Sequence, residues 1–384
     1  MVGIDQAYAN AAIRALLEAN WQLQEATIGE LLQKTSYGKG DTKGFDAIPE
    51  IVISEELKRF DPDIVFLTEE IGRQRKFSVP QEIELQPILY ISDPTDRSSF
   101  LEKFLQGFVK ENPSFIDLKF KEILRNEEIK ERWENLASGP AVITGPTGSI
   151  SGIKKGVPFF AVIVNYLTQD LFVACDWGKK RFNIEGISQE DFKWITLEKI
   201  FAEGEEIIFD QERNLDVEES KKFFTFIGKE GYEENLKEAK IFLNQPLDYL
   251  VYKEPGGPTR ILYLSSLYEG EVGFILSNGE KIIEWIHWLP FISASNRENK
   301  TLKIFEISFE KPWTKNGILM ATTIAYSIFV YSEKEKRHLL NLVKLQDYPN
   351  PSQYRSCLLV TNEDNRWAIH TMRQRQYREL VFNF

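Results

Sequence analysis

The stretch that most constrains this chain is Ile88–Phe100, ILYISDPTDRSSF, in which an apolar run ends in two acids three positions apart. Its first four residues predict a short buried strand, because all are apolar or aromatic, two of them are β-branched, and they lie between Pro87 and Pro94. Asp93 and Asp96 then fall at the end of that strand, where two carboxylates can converge on one hard cation. An Asp-Pro turn followed by a helix N-cap is the simpler interpretation of the same residues.

A second apolar run lies upstream at Ile64–Leu67, and it is also followed by acids, Glu69 and Glu70. We expect this run to form another short buried strand. Two strands that each deliver carboxylates at their C-terminal ends can bring those carboxylates to one edge of a sheet. The pattern therefore predicts a cation site shared by Glu69, Asp93 and Asp96.

The charge of the whole chain narrows the classes of partner. The sequence carries 58 Asp and Glu against 47 Lys and Arg, a net charge of −11. Nucleic acids and anionic membranes attract positively charged surfaces, so neither is expected as the main partner. A small anionic substrate stays compatible with this charge if a bound divalent cation supplies local positive potential.

Composition also bears on the compartment and on the core. The sequence has no uninterrupted run of about 18–20 apolar residues, and its N-terminus lacks the plan of a signal peptide, so we expect a cytoplasmic protein. Cys175 and Cys357 are too few for a disulfide framework or a cysteine-based zinc site. With 42% hydrophobic residues, the chain has enough apolar material for a packed core.

Local patterns divide the chain into two halves, residues 1–205 and 206–384, near the charged stretch Phe201–Lys240. The first half opens with amphipathic helical spacing over Gln6–Gln33. It also carries an insertion at about residues 101–155, whose first part, Leu101–Leu136, is helical in pattern. That part is predicted either to cap the site or to pack on the outside.

Strand and helix signals continue after the insertion. Ala141–Thr144 predicts a strand, and Phe159–Tyr166 is predicted to pair with Leu171–Cys175 as a hairpin. The charged stretch predicts two helices, Asp216–Phe226 and Tyr232–Phe242. Together these elements indicate a mixed sheet with flanking helices.

The acids and their neighbours resemble a known family. Glu69-Glu70 and the run Asp93-Pro94-Thr95-Asp96-Arg97-Ser98 stand in the order of two motifs of the inositol monophosphatase and fructose-1,6-bisphosphatase superfamily. Those motifs are a Glu-Glu pair and Asp-Pro-Ile/Leu-Asp-Gly-Thr/Ser, and Val157–Val162 resembles the strand that follows them. The superfamily consists of Mg²⁺-dependent, lithium-sensitive phosphatases. The resemblance implies an α/β fold, an αβαβα sandwich of alternating helical and sheet layers.

The resemblance also implies roles for individual residues. The ligands of Mg²⁺, with Mn²⁺ as an alternative, would be Glu69, Asp93, Asp96 and the carbonyl of Thr95. The catalytic set would be Glu70, Ser98 and Asp46, of which Asp46 is equally interpretable as a helix N-cap. The substrate phosphate would be held by Arg97, Ser98 and Ser99, through N–H groups at a helix N-terminus.

Two positions depart from the family pattern. Arg97 stands where the family has glycine, so it either blocks the approach of a phosphate to the backbone or supplies a forked contact. A count along the second half puts Ile286 at the place of the last metal aspartate, and a less well-spaced match puts Thr314 there. Glu284 is a possible replacement ligand, whereas His287 beside two tryptophans is more typical of a packed side chain.

Two functions follow as alternatives. The first is a Mg²⁺-dependent phosphomonoesterase that acts on a small sugar, inositol or nucleotide phosphate through a metal-activated water. The second is a catalytically degenerate family member that binds a phosphorylated metabolite or a protein partner. In both cases we expect a small phosphorylated metabolite among the ligands, no nucleic acid and no membrane, and a homodimer is compatible with either.

Overall fold

The computed structural model of the protein describes most of the chain. The described residues are 4–38, 42–69, 80–86, 88–124, 127–137, 141–207, 224–227, 250–253, 274–296, 302–307, 314–315, 318–319, 327–347, 351, 354–363, 366–374 and 376–382.

Helices and strands alternate along these residues. The helices are α1 Ile4–Glu25, α2 Ile28–Leu32, α3 Gly44–Phe60, α4 Ser98–Glu111, α5 Phe120–Leu124, α6 Glu127–Ala137, α7 Ala141–Thr144, α8 Leu197–Glu203, α9 Ile282–Trp285, α10 Trp288–Asn296, α11 Leu342–Asp347 and α12 Arg366–Gln374. Short 3-10 helices lie at Ile83–Leu85, Pro113–Asp117 and Gln189–Trp194. The strands of the first half are β1 Val65–Leu67, β2 Leu89–Asp96, β3 Thr147–Lys154, β4 Val157–Asn165, β5 Asp170–Cys175, β6 Gly178–Asn183 and β7 Glu205–Glu206. Those of the second half are β8 Phe224–Ile227, β9 Leu250–Lys253, β10 Phe274–Lys281, β11 Leu302–Ile307, β12 Thr314–Lys315, β13 Ile318–Leu319, β14 Phe329–Ser332, β15 Arg337–Leu340, β16 Arg355–Asn362 and β17 Arg378–Leu380.

The first sheet contains β1 to β7 in sequence order. β1 and β2 pair in parallel, with Leu67 opposite Ile91, and the later strands are antiparallel. Both faces of this sheet are apolar. Ile150 and Val162 belong to a core cluster with the N-terminal helices, whereas Ile163 belongs to the cluster that includes α9 and α10. Alternate residues of each strand therefore enter two different cores.

A second sheet of six strands has the order β17-β11-β16-β10-β8-β9. Helix α10 lies between the two sheets, since it contacts β4, β5 and β6 of the first sheet and β11 of the second. Helices α1 and α3 cover the other face of the first sheet. The α/β class with alternating helical and sheet layers, expected from the sequence, is confirmed.

The first part of the insertion is helical, as predicted, and contributes to α4, α5 and α6. Its large apolar residues, Phe104, Phe108 and Trp133, join the core cluster of the N-terminal helices. Phe104 stacks edge-on against both Phe108 and Trp133, with ring centroids 4.9 and 5.1 Å apart. The insertion therefore packs beside α1 and α2 through an aromatic cluster.

The strand predicted at Ala141–Thr144 is wrong, because these residues form the single helical turn α7. The amide of Asn165 donates to the carbonyls of Ala141 and Val142, at 2.9 and 3.2 Å. Gly145 then donates to the carbonyl of Ala141, and a Cβ at Gly145 would lie 2.5 Å from Asn165 Oδ1. A tertiary contact thus overrides the strand propensity of Val and Ile.

In the second half, the predicted helix Asp216–Phe226 is wrong at its C-terminal end. Phe224, Thr225 and Phe226 belong to β8, which runs parallel to both β10 and β9. The predicted helix Tyr232–Phe242 lies outside the described residues. The division of the chain into residues 1–205 and 206–384 stays a prediction, although the described strands of the first sheet end at Glu206 and those of the second begin at Phe224.

Among the described residues, no helix combines the length and the apolar character needed to cross a membrane.

Candidate functional site

The C-terminal ends of β1 and β2 meet at one edge of the first sheet, because these two strands are parallel. Glu69 follows β1 by two residues, and β2 carries Asp93 and Asp96. Asp93 lies opposite Ser149 and Asp96 opposite Thr147, with a register irregularity between the two pairs. The structure therefore extends β2 through both acids, beyond the turn expected at Pro94.

The backbone near Asp93 and Asp96 is fixed by buried hydrogen bonds. Tyr166 Oη donates to the carbonyl of Pro94 at 2.6 Å, and Thr95 Oγ1 donates to the carbonyl of Phe45 in α3 at 2.7 Å. Gly148 leaves room for this tyrosine, since a Cβ there would lie 2.1 Å from Tyr166 Oη. The segment that carries the two acids is thus tied to α3 and to the end of β4.

Arg97 stands at the N-cap of α4 in the left-handed conformation, with φ 65° and ψ 26°. This conformation suits glycine and is strained for other residues. The backbone N–H of Arg97 donates to Asp96 Oδ1 at 2.7 Å. That hydrogen bond orients one carboxylate oxygen of Asp96 toward the start of the helix.

The side chain of Arg97 is buried among residues of the insertion. Its Nη1 donates to the carbonyl of Thr144 at 2.5 Å, and its guanidinium lies 4.4 Å from the ring centroid of Phe100. Trp133 Nε1 donates to Thr144 Oγ1 at 3.1 Å. Thr144, the last residue of α7, therefore accepts hydrogen bonds from both Arg97 and Trp133. This placement ties the helix start to the insertion. The predicted contact of Arg97 with a phosphate stays a prediction.

The remaining predicted residues are placed as follows. Ser98 and Ser99 are the first two residues of α4, which begins beside Asp96. Asp46 lies in the first turn of α3, but the N-cap of that helix is Lys43, so the N-cap interpretation of Asp46 is wrong. Burial raises the pKa of Tyr166, and the charges of Asp93 and Asp46 raise it further, which places both acids near this phenol. Glu70 lies outside the described residues.

The second half contributes a residue that the motif count missed, Lys281. It is the last residue of β10, and α9 begins directly after it. Its Nζ lies 2.9 Å from Glu69 Oε1 and 3.2 Å from Glu284 Oε1, with 17% of the side chain exposed. Its backbone N–H donates to Glu284 Oε2 at 3.0 Å. An ammonium group from the second half therefore bonds directly to an acid of the first.

We call Glu69, Asp93, Asp96 and Glu284 the acid set. Burial raises the pKa of Asp93 well above its ordinary value, and the charges of Asp96, Glu69 and Glu284 raise it further, while Lys281 opposes them. Burial alone would lower the pKa of Lys281, but Glu284 and Glu69 outweigh burial and raise it. Lys281 is therefore a charged ammonium among carboxylates.

The acid set does not fit a bound divalent metal ion as it is placed here. Its carboxylate oxygens are ligands of the type that Mg²⁺ takes. However, the ammonium of Lys281 holds Glu69 and Glu284, and among the described residues no group of three or more His, Cys, Asp and Glu side chains is arranged to hold a metal. The predicted replacement ligand Glu284 bonds to this lysine.

Counting residues along the second half placed Ile286 at the position of the last metal aspartate of the family. In the structure, the residue of the second half that reaches the acids is Lys281 instead. Ile286 is fully buried at the C-cap of α9, in the core cluster between the sheets. The junction between strand and helix, where a side chain can reach the acids, is at Lys281 and Ile282. Two signals in the sequence could have located this junction. One is the end of the apolar run Phe274–Leu276, and the other is the three-residue spacing between Lys281 and Glu284.

His287 lies on the same face of the first sheet as the acids but is packed, as the sequence favoured. Its Nε2 lies 2.7 Å from the carbonyl of Ile283 and 2.7 Å from Ser149 Oγ, and its Nδ1 lies 2.7 Å from Ser151 Oγ. A carbonyl only accepts, so Nε2 carries the proton and Nδ1 accepts from Ser151. Burial lowers the pKa of His287 to about 3. Both ring nitrogens of this neutral imidazole are thus engaged within the protein.

Comparison with solved structures finds inositol monophosphatases and related proteins. The inositol monophosphatase of Anabaena (Nostoc) sp. PCC 7120 aligns over 97% of both chains, with a TM-score of 0.47 and 15% identity. CysQ of Bacteroides thetaiotaomicron, described as a bacterial member of the inositol monophosphatase family, aligns over 93% of this chain and 98% of its own, with a TM-score of 0.47 and 14% identity. Inositol monophosphatase II of Staphylococcus aureus aligns over 97% and 94%, with a TM-score of 0.46 and 11% identity.

No protein-family model matches the chain, and no curated protein matches its sequence. The chemistry of the site therefore rests on the residues of this chain.

Proposed function

We propose that this chain is a catalytically degenerate relative of the inositol monophosphatase-like phosphatases, which binds a small phosphorylated metabolite without hydrolysing it through a metal ion. One observation carries the proposal, the ammonium of Lys281 at 2.9 Å from Glu69. Metal-assisted hydrolysis needs a cation that coordinates water and lowers its pKa. An ammonium group supplies positive charge but cannot coordinate a water in that way.

The start of α4 supports a phosphorylated ligand. The first N–H groups of this 14-residue helix have no partner within the helix itself, and a helix N-terminus attracts anions. Thr147 Oγ1 is buried without a hydrogen-bond partner among the described residues, and Thr147 is paired with Asp96 in the sheet. A phosphate at the helix start can accept from backbone amides and from this hydroxyl, with Lys281 providing fixed positive charge nearby.

The first test combines turnover and binding. We expect no phosphate release from a panel of sugar, inositol and nucleotide monophosphates, with or without Mg²⁺. Calorimetry in the presence of EDTA should detect binding of at least one of them. Thr147→Val should weaken that binding, whereas Thr168→Val, whose hydroxyl bonds to Asp170 outside the site, should not. Binding that appears only with Mg²⁺ would contradict the proposal.

A Mg²⁺-dependent phosphomonoesterase is the second candidate, and the convergence of Glu69, Asp93 and Asp96 at one sheet edge favours it. These acids act on the pKa of Asp93, as expected for side chains that share a site. For this candidate, phosphate release should require Mg²⁺ and disappear in Asp93→Asn. Release that persisted in Asp93→Asn would remove the acid set from the mechanism.

A further inference from the structure

We propose that the ammonium of Lys281 is a built-in cation that takes the place of a divalent metal ion at the acid set. The folded protein then needs no metal, and a variant that lacks this ammonium acquires a divalent-cation dependence of its stability. The inference concerns the cation and not the ligand. It therefore stands or falls separately from the binding of a phosphorylated metabolite.

The contacts of Lys281 are the first support. Its Nζ reaches Glu69 Oε1 at 2.9 Å and Glu284 Oε1 at 3.2 Å, so it bridges an acid of each half of the chain. Asp93 lies close enough to Lys281 for each charge to act on the other. One ammonium thus bonds to two carboxylates and lies within electrostatic reach of a third carboxyl group.

The balance of charge is the second support. The acid set has four carboxyl groups, and Asp93 is only 2% exposed. Carboxylates gathered in a half-buried place repel one another unless a cation lies among them. Lys281 is the cation whose bonds to this set are seen among the described residues. Its removal takes one positive charge from this set, and the more negative set that remains attracts a divalent ion more strongly.

The shape of the side chain gives the third support and the design of the test. An alanine at this position removes both the charge and the volume of the side chain. A methionine removes the charge but keeps most of the volume. If Lys281 occupies the place of a metal ion, Lys281→Ala should bind divalent cations well and Lys281→Met poorly, because only the alanine variant leaves room for a hydrated ion.

The experiment is thermal unfolding of the full chain in EDTA and in millimolar MgCl₂, MnCl₂ or CaCl₂, with NaCl at matched ionic strength. The wild-type melting temperature should not change with divalent cations. Lys281→Ala should melt several degrees lower in EDTA and recover most of that loss with a divalent cation. Lys281→Asp, which adds a carboxylate, should show the largest cation-dependent rise.

A matched control is Lys180→Ala, which breaks the pair of Lys180 with Glu206 at 2.6 Å on the first sheet. This variant should show no divalent-cation effect, since Glu206 is the one acid bonded to that lysine among the residues that the structure describes. A saturable rise of the wild-type melting temperature with Mg²⁺ would overturn the proposal, and so would an alanine variant that no divalent cation stabilises. If Lys281→Ala fails to fold in EDTA, expression with added Mg²⁺ should restore soluble protein, and failure there also counts against it.

Discussion

At the scale of single residues, His287 shows how a buried group makes stability depend on pH. The folded protein keeps this imidazole neutral, with its pKa lowered to about 3, whereas an unfolded histidine has a pKa of about 6.5. Between these values the unfolded chain binds more protons than the folded one. His287 therefore makes its full contribution to the free energy of unfolding above about pH 6.5, and this contribution is lost progressively as the pH falls toward 3.

We predict that His287 alone makes the free energy of unfolding about 2 kcal/mol smaller at pH 5 than at pH 7. Urea unfolding of the wild type and of His287→Gln at both pH values measures this contribution as a difference. Glutamine keeps a donor and an acceptor but does not titrate, so other groups cancel in the comparison. Equal pH dependence in the two proteins would show that the histidine is not buried neutral.

Arg97 and Lys281 show what could be predicted about the site and what could not. The departure at Arg97 was visible because a motif of consecutive residues fixes its position. Its burial against Thr144 and Trp133 depends on the insertion, which the family pattern does not contain. Lys281 lies in the second half, where the motif failed and counting residues replaced it. An ion pair between residues 212 positions apart leaves no local pattern from which to find it.

At the scale of elements, the strands with long apolar runs were predicted correctly, as the pairing of β4 with β5 shows. The short element α7 was not, because four residues contain too little periodicity to decide between strand and helix. Its conformation depends on Asn165, which bonds to two of its carbonyls. The same side chain accepts from the N–H groups of Leu167 and Thr168, at 2.9 and 3.2 Å.

The side chain of Asn165 makes hydrogen bonds to backbone groups of both α7 and the turn after β4. We therefore predict that Asn165→Ala lowers the free energy of unfolding by about 2–4 kcal/mol, because these buried polar groups lose their partners. Asn183→Ala is a suitable control, since Asn183 also makes amide hydrogen bonds but is exposed. Its cost should stay below about 1 kcal/mol. Chemical denaturation of the two variants checks the difference. Similar losses in both would mean that α7 does not depend on Asn165.

At the scale of the whole molecule, the two sheets share α9 and α10 as a common helical layer, and Lys281 with Glu69 adds a polar link between the halves. Strand and helix signals in the first half predicted a mixed sheet with flanking helices, whereas the alternating layers were expected from the resemblance to the family. The way in which one half completes the site of the other was not predictable, since it depends on which side chain the end of β10 presents.

This link should be measurable as a coupling energy. We predict that Glu69→Gln and Lys281→Met each destabilise the protein, and that the double variant loses about 1–2 kcal/mol less than the sum of the two, as expected for half-buried partners in contact. The double-mutant cycle is read from denaturant midpoints. A coupling energy near zero would indicate that solvent screens the pair and that the pair does not stabilise the folded protein.

The distance of this link along the chain has a consequence for synthesis. Glu69 is made 212 residues before Lys281. At about 5–20 residues per second, the carboxylates of the first half wait roughly 10–40 seconds on the ribosome for their lysine. During that interval the nascent first half has neither the ammonium of Lys281 nor the carboxylate of Glu284. The order of translation therefore makes the closing of this edge a late step, completed only when β10 has emerged.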